Sequence, residues 1–266
     1  PGDHQTGRVG LHHSEEAVVY HFFTETEFFT ESEAVITGPD VNHIKNVLRL
    51  TIGDTITVCD GAGKEYECEI AEISKEQVYA NIVDINQNAA ELPCNITLFQ
   101  GMPKSDKMEF IIQKAVELGA AGIVPVMMKR TVVKLEDKKK DKKRERYQMI
   151  AESAAKQSGR GIIPEVTGFM SFREALQYAG KFDLLIVPYE SADGIAYARE
   201  IIAQASNLPD GANIGIFIGP EGGFAKEEID AAKEAGAKII TLGNRILRTE
   251  TAGLAVLSIL MFQMEQ

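Results

Sequence analysis

Apolar positions follow two spacings along this chain. Up to about residue 85 they mostly alternate with polar ones, and beyond residue 95 short apolar runs trade places with stretches of helical spacing. In the first region Tyr20 to Phe23, Ile56 to Cys59, Glu65 to Ile70 and Val78 to Ile85 are predicted strands, with Asp60-Gly61-Ala62-Gly63 as a hairpin turn. Gly38-Pro39 opens one helix, in which Val41, Ile44 and Leu48 share a face. Short strands around one small helix suggest a small β-barrel. Asn86 to Pro93 is polar without a period and reads as a linker.

In the second region Ile96 to Phe99, Ile123 to Met127, Phe182 to Val187, Ile214 to Ile218 and Lys238 to Leu242 are predicted strands. Helices are expected over Met108 to Leu118, Ile195 to Ser206, Lys226 to Ala235 and Ala252 to Met264, with Gly119 and Gly236 as stops. This alternation predicts an α/β fold with an open parallel sheet. In the last helix Leu254, Val256, Leu257, Ile259, Leu260, Met261 and Phe262 go nearly all the way round, so one face against a sheet cannot bury them all. A second buried face is expected.

Charge changes the picture of partners. Of a formal net charge of −11, residues 1–93 carry 5 Lys/Arg against 17 Asp/Glu, and residues 94–266 carry 23 against 22. The acidic total argues against nonspecific nucleic-acid binding by bulk charge. A local basic surface must then lie in the second region, where Lys138 to Arg146 holds seven basic residues in nine. Cys59, Cys68 and Cys94 are odd in number and form no C-x-x-C pair, which suits reduced core thiols in a cytoplasmic protein and no metal site. No apolar stretch is long enough to span a membrane. Residues 1–18 are polar and are expected to be a leader or an appended extension.

Two loops follow two of the predicted strands directly. Gly219-Pro220-Glu221-Gly222-Gly223 has three glycines in five residues, so a ligand can approach its backbone. It carries no P-loop lysine and no G-x-G-x-x-G pattern. In Gly243 to Thr251 the apolar Ile246 and Leu247 lie among Arg245, Arg248 and Glu250, a mixture that suits a flat apolar ligand with polar edges. Loops at the carboxyl ends of adjacent strands form a ligand crevice in open α/β sheets. The residues alone leave open an enzyme using another nucleotide cofactor, or a noncatalytic RNA-binding module with a vestigial pocket.

Ile218-Gly219-Pro220-Glu221-Gly222-Gly223-Phe224, followed by Leu242 to Ala252, resembles the cofactor site of the SPOUT, or trefoil-knot, methyltransferases. More narrowly it is similar to the small-subunit ribosomal RNA uracil-N3-methyltransferase family. The resemblance implies a PUA-like RNA-binding β-barrel over 19–88 and a knotted SPOUT-like domain over 94–266. It implies S-adenosyl-L-methionine as cofactor, held by Pro188, Gly219, Pro220, Glu221, Gly222, Gly223, Leu242, Gly243, Ile246, Leu247, Arg248, Thr251 and Ala252. It implies methylation at N3 of a uridine in 16S ribosomal RNA, within the small subunit, and a homodimer whose two chains share the RNA site. The N3 proton must be accepted, or the uracil anion stabilised, and Arg248, Glu250 and Glu221 are the catalytic candidates. His43, Arg49, Lys104, Arg130, Lys142, Lys143, Arg146, Gln157 and Arg160 are the expected RNA contacts.

Overall fold

The computed structural model describes residues 20–104, 106–133, 136–190 and 194–265. The expected leader, residues 1–18, lies outside them. β1 (His21–Phe23), β2 (Glu33–Thr37), β3 (Thr55–Cys59), β4 (Lys64–Ile73) and β5 (Gln77–Gln87) form one sheet in the order β1-β3-β4-β5-β2. Only β1 and β3 run parallel. Register shifts in β4 at Glu67/Cys68 and Ile70/Glu72 bend the long hairpin, so the sheet curls as a half-barrel. Its concave core gathers Ile36, Ile56, Val58, Cys68, Ile70 and Val78.

α1 (Pro39–Asn42) adds Val41 to that core, and the π-helical stretch His43–Leu48 adds Ile44. The wider turn replaces the regular helix expected from the spacing of Val41, Ile44 and Leu48, and it leaves Val47 exposed. β2 was not expected from the sequence, although buried Ala34 and Ile36 alternate with half-buried neighbours.

The second sheet has the order β12-β10-β11-β6-β7-β8 and is parallel throughout. Its strands are β6 (Asn95–Gly101), β7 (Gly122–Met127), β8 (Glu165–Val166), β9 (Met170–Ser171), β10 (Leu184–Pro188), β11 (Asn213–Ile218) and β12 (Lys238–Ile240). β9 pairs with the far end of β7, beyond β8. The helices are α2 (Lys107–Glu117), α3 (Asp137–Gln157), α4 (Phe172–Tyr178), α5 (Ile195–Ser206), α6 (Lys226–Glu234) and α7 (Thr249–Met264).

Both faces of this sheet are covered, which is why its strands read as unbroken apolar runs. Leu98, Ile214 and Ile216 meet Ile111, Ile201, Val256, Leu257 and Leu260 on one face. Phe99 and Phe217 stack 4.2 Å apart on the other, with Phe172, Phe224 and Ile229. α4 escaped the apolar-spacing reading, yet Ser171 and Glu174 form a capping box at its start, a pattern visible in the sequence.

The segment expected to be a linker is instead built into the contact between the sheets. β5 extends to Gln87, and the Asn88 side chain donates to Glu65 and to the Gly159 carbonyl, each at 2.9 Å. The Glu91 carboxylate accepts from Arg160 at 2.6 Å and from the Gly161 and Ile162 amides. A segment without periodicity can still be ordered when its polar groups find fixed partners.

Candidate active site

Parallel strands β10, β11 and β12 end at the same side of the sheet, and the loops leaving them enclose a cleft of about 750 Å³. That volume lies within the range of small-molecule sites. Its walls are Pro188 at the end of β10 with Tyr189 beyond it, residues 219–223 after β11, and residues 241–248 after β12, with Ile218 and Ala252 behind them.

α7 starts at Thr249, three residues earlier than its apolar spacing predicts. Buried Thr249 donates through Oγ1 to the Gly219 carbonyl at 2.7 Å and accepts from Gln100 at 2.8 Å. It thereby ties both loops to the end of β6. Ala252, one turn on, lines the cleft. Thr251 is exposed and does not line it, because it is turned roughly 200° from Thr249 around the helix.

The glycines place backbone where side chains would not fit. A Cβ on Gly101 would lie 2.6 Å from the Pro220 nitrogen, so the 219–223 loop rests directly on β6. A Cβ on Gly222 would lie 2.9 Å from the Cβ of Arg130, so that residue's open side faces β7's end. Arg130 closes the same contact by donating to the Gly222 carbonyl at 3.0 Å.

Lys107, at the start of α2, joins the two acidic candidates. Its ammonium lies 3.4 Å from Glu221 and 3.2 Å from Glu250. Burial pushes the Glu221 carboxyl up, but the Lys104 amide and Lys107 outweigh it and hold the group below its ordinary value. The Glu250 carboxyl is also held down, first by its own amide at the start of α7 and then, against burial, by Lys107. The hydrogen bond to Glu250 raises Lys107 in turn. Two carboxylates kept ionised by one ammonium are weak bases, so their geometry suits clamping the loops more than accepting a proton. Arg248 is exposed on the cleft wall at the N-cap of α7, and its side chain makes no hydrogen bond or ion pair among the described residues.

The cleft therefore offers apolar walls from Ile218, Leu242, Leu247 and Ala252. Among the described residues the backbone amides of Leu242 and Leu247 make no hydrogen bond, and they remain as donors at its edge. Those features fit a flat heteroaromatic ring with polar edges.

Comparison with known proteins fixes the kind of enzyme. The RNA methyltransferase domain family matches residues 90–261, and the RNA methyltransferase PUA domain family matches residues 36–83. Ribosomal RNA small subunit methyltransferase E of Bacillus subtilis is 42% identical over 230 residues, covering 86% of this chain and 90% of its own length. The chain belongs to the RNA methyltransferase E family. Ribosomal RNA small subunit methyltransferase E of Neisseria gonorrhoeae, solved bound to S-adenosyl methionine, superposes with a TM-score of 0.73 at 34% identity, over 90% of this chain and 96% of that one. A Legionella pneumophila methyltransferase solved with its cofactor SAM gives a TM-score of 0.76 at 30% identity, over 91% and 96% of the two chains. The architecture is thus that of the SPOUT methyltransferases, behind a PUA-like half-barrel.

The expected RNA contacts lie on several elements. Lys142 and Lys143 lie on α3, with Lys142 exposed and Lys143 about 6.0 Å above the Tyr147 ring. Arg146 is engaged by Glu109 of α2 at 2.7 and 2.9 Å. Lys104 and Arg130 flank the cofactor cleft, the first through its amide to Glu221.

His43 and Gln157 line a different cleft, between the two sheets. Arg49 is exposed at φ 58°, the left-handed cap that ends the π-helical stretch. Arg160 contradicts its expected role. It is 2% exposed, and its donors go to Glu91 and to the Val116 and Ala120 carbonyls. α3 ends at Gln157, three residues before Arg160, so Arg160 does not continue the helix face that carries Gln157.

Lys107, Thr249 and Gln100 went unrecognised in the sequence. They are common residue types whose role comes from partners more than a hundred positions away. Glu228 is similar. Where Ala225 offers no capping side chain, buried Glu228 accepts from the Ala225 amide and, across the sheet end, from the Lys129 amide, each at 2.8 Å.

Proposed function

We propose that this chain methylates N3 of a uridine in small-subunit ribosomal RNA, with S-adenosylmethionine held in the cleft behind residues 219–223 and 241–248. The observation that carries the reading is that cleft, built on the ends of β10, β11 and β12 in an RNA methyltransferase fold. Bound there, the cofactor supplies a methyl group already activated on a sulfonium sulfur, so no metal is needed. Ile218, Leu242, Leu247 and Ala252 form the apolar bed, and the Leu242 and Leu247 amides meet the polar edge of the ring. Of the other expected cofactor residues, Pro188, Gly243, Ile246 and Arg248 line the same walls and Thr251 does not.

The chain's catalytic share is orientation and charge. With the cofactor bound, uracil N3 would lose its proton to water and take the methyl carbon as that carbon's bond to the sulfonium sulfur breaks. Arg248 faces the cleft at the positive end of α7 and stabilises the negative charge that develops on the uracil. Glu221 and Glu250, locked by Lys107, hold the loops in register.

The reading includes a division between the half-barrel and the methyltransferase sheet near residues 89–93, a knotted passage of the chain behind residues 219–223, cytoplasmic work on the small subunit, and a homodimer. Phe262 and Ile259 are exposed on one side of α7, Phe262 to 76%, and Ile246 in the preceding loop is exposed to 84%, which supports pairing of two chains.

The deciding experiment incubates the full chain with small subunits lacking the modification and maps the product by mass spectrometry. One methyl group on a uracil, at N3, is the expected result. A methyl on ribose or on another base would overturn the assignment.

A further inference from the structure

The second cleft, between the half-barrel and α3, has about 840 Å³ and shares no residue with the cofactor cleft. Its first wall carries the rings of Tyr20 and His43, with Phe22 edge-on to His43 at 6.4 Å. Ser153 and Gln157 stand one turn apart on its second wall, and neither side chain makes a hydrogen bond among the described residues. At the same wall as Tyr20, Nδ1 of His21 is buried without a hydrogen-bond partner among the described residues.

Charge selects among ligands. The one ammonium among the described lining residues, Lys156, is committed to Asp40 at 3.0 Å and to Glu152 at 3.2 Å. Two carboxylates around one ammonium leave a net negative site that repels phosphate. Rings for stacking, an amide and a hydroxyl for an edge, and no free cation in the lining together describe a site for a flat, neutral, hydrogen-bonding ring.

We propose that this interdomain cleft receives one unstacked base of the substrate RNA, a base other than the one that is methylated. The inference rests on the reading of the substrate as RNA. Tyr20 and His43 supply the faces, and Gln157 and Ser153 read the edge. The basic half of α3, at Lys142 and Lys143, supplies the phosphate contacts that the cleft itself refuses. α3 thus carries two kinds of contact along its length, charge at its start and base recognition at its end.

The test uses the full chain and small subunits lacking the modification. Gln157→Ala, and separately Ser153→Ala, should raise KM for the subunit about tenfold, the scale on which one bound base counts, and leave kcat and the cofactor Kd unchanged. Melting curves show whether the variants remain folded. In parallel, a photo-crosslinking residue is placed at Met149, which is exposed at the rim. It should capture a ribosomal RNA nucleotide that is not the methylated one, and this readout is independent of turnover. Capture of a ribosomal protein, or of no RNA, would overturn the proposal, as would an unchanged KM in both variants. Failure of the wild-type chain to methylate the subunit while Met149 still captures RNA would strike the functional reading and leave this site standing.

Discussion

At the scale of single residues, the cofactor cleft depends on close backbone approach. The missing Cβ of Gly101 is what lets Pro220 sit on β6, and any side chain there meets backbone that cannot swing aside. Gly101→Ala should move the 219–223 loop and lower methyl transfer on the order of a hundredfold, the cost of a displacement of about 1 Å at a reacting centre. Calorimetry with S-adenosylmethionine, together with a retained cooperative melt, checks that the loss is local.

The Glu221–Lys107–Glu250 group makes a second prediction, about pH. Both carboxyls are held below their ordinary 4.5, so their contribution is complete above that value and is lost as pH falls through the lowered ones. Lys107, raised above 10.5, keeps its charge until pH passes the raised value. Cofactor affinity should then show no step from these groups between about pH 5 and 10, and should fall in acid. Glu221→Gln should weaken binding at neutral pH and reduce the acid limb. A step near pH 7 that disappears in Glu221→Gln would contradict the clamp.

At the scale of elements, α3 separates residues that look alike in the sequence. Reversing Lys142 and Lys143 to Glu should flatten the salt dependence of RNA binding by roughly one unit of slope for each phosphate no longer neutralised, with cofactor affinity unchanged. Arg146→Glu should also lower the melting temperature, because Arg146 binds Glu109 and joins α3 to α2. Equal melting temperatures for the two variants would place Arg146 with the free lysines.

Long elements with strict apolar spacing were legible in the sequence; α5 runs from Ile195 to Ser206 as expected. β8 and β9 were not, since two residues carry too few positions to show a period, and β2 was missed although its five residues alternate.

At the scale of the whole molecule, Arg160 pins the segment that joins the two sheets through Glu91. Arg160→Ala leaves a partly buried carboxylate without its cation and should cost about 3–5 kcal/mol in urea unfolding. A loss of RNA binding without loss of stability would return Arg160 to the RNA surface. Association is the other whole-molecule prediction. Phe262→Glu places a charge on the uncovered side of α7 and should shift light scattering to the mass of one chain, with methyl transfer reduced in step. Full activity in a single-chain species would remove the shared site.

The apolar runs and the glycine loops determined the parallel sheet, the order of its main strands along the chain and the two loops that line the cofactor cleft, because these depend on neighbours a few positions apart. The α7 spacing predicts a second covered face, and on that side Ile259 and Phe262 are exposed in the single chain. Tertiary structure alone decided which charges are free and which are spent. Arg160, Arg146, Lys156 and Lys107 are indistinguishable as cations in a sequence, yet carboxylates brought in from distant positions turn three of them into links within the fold and Lys107 into the clamp of the site. Ionic pairing acts through space and leaves no period along the chain.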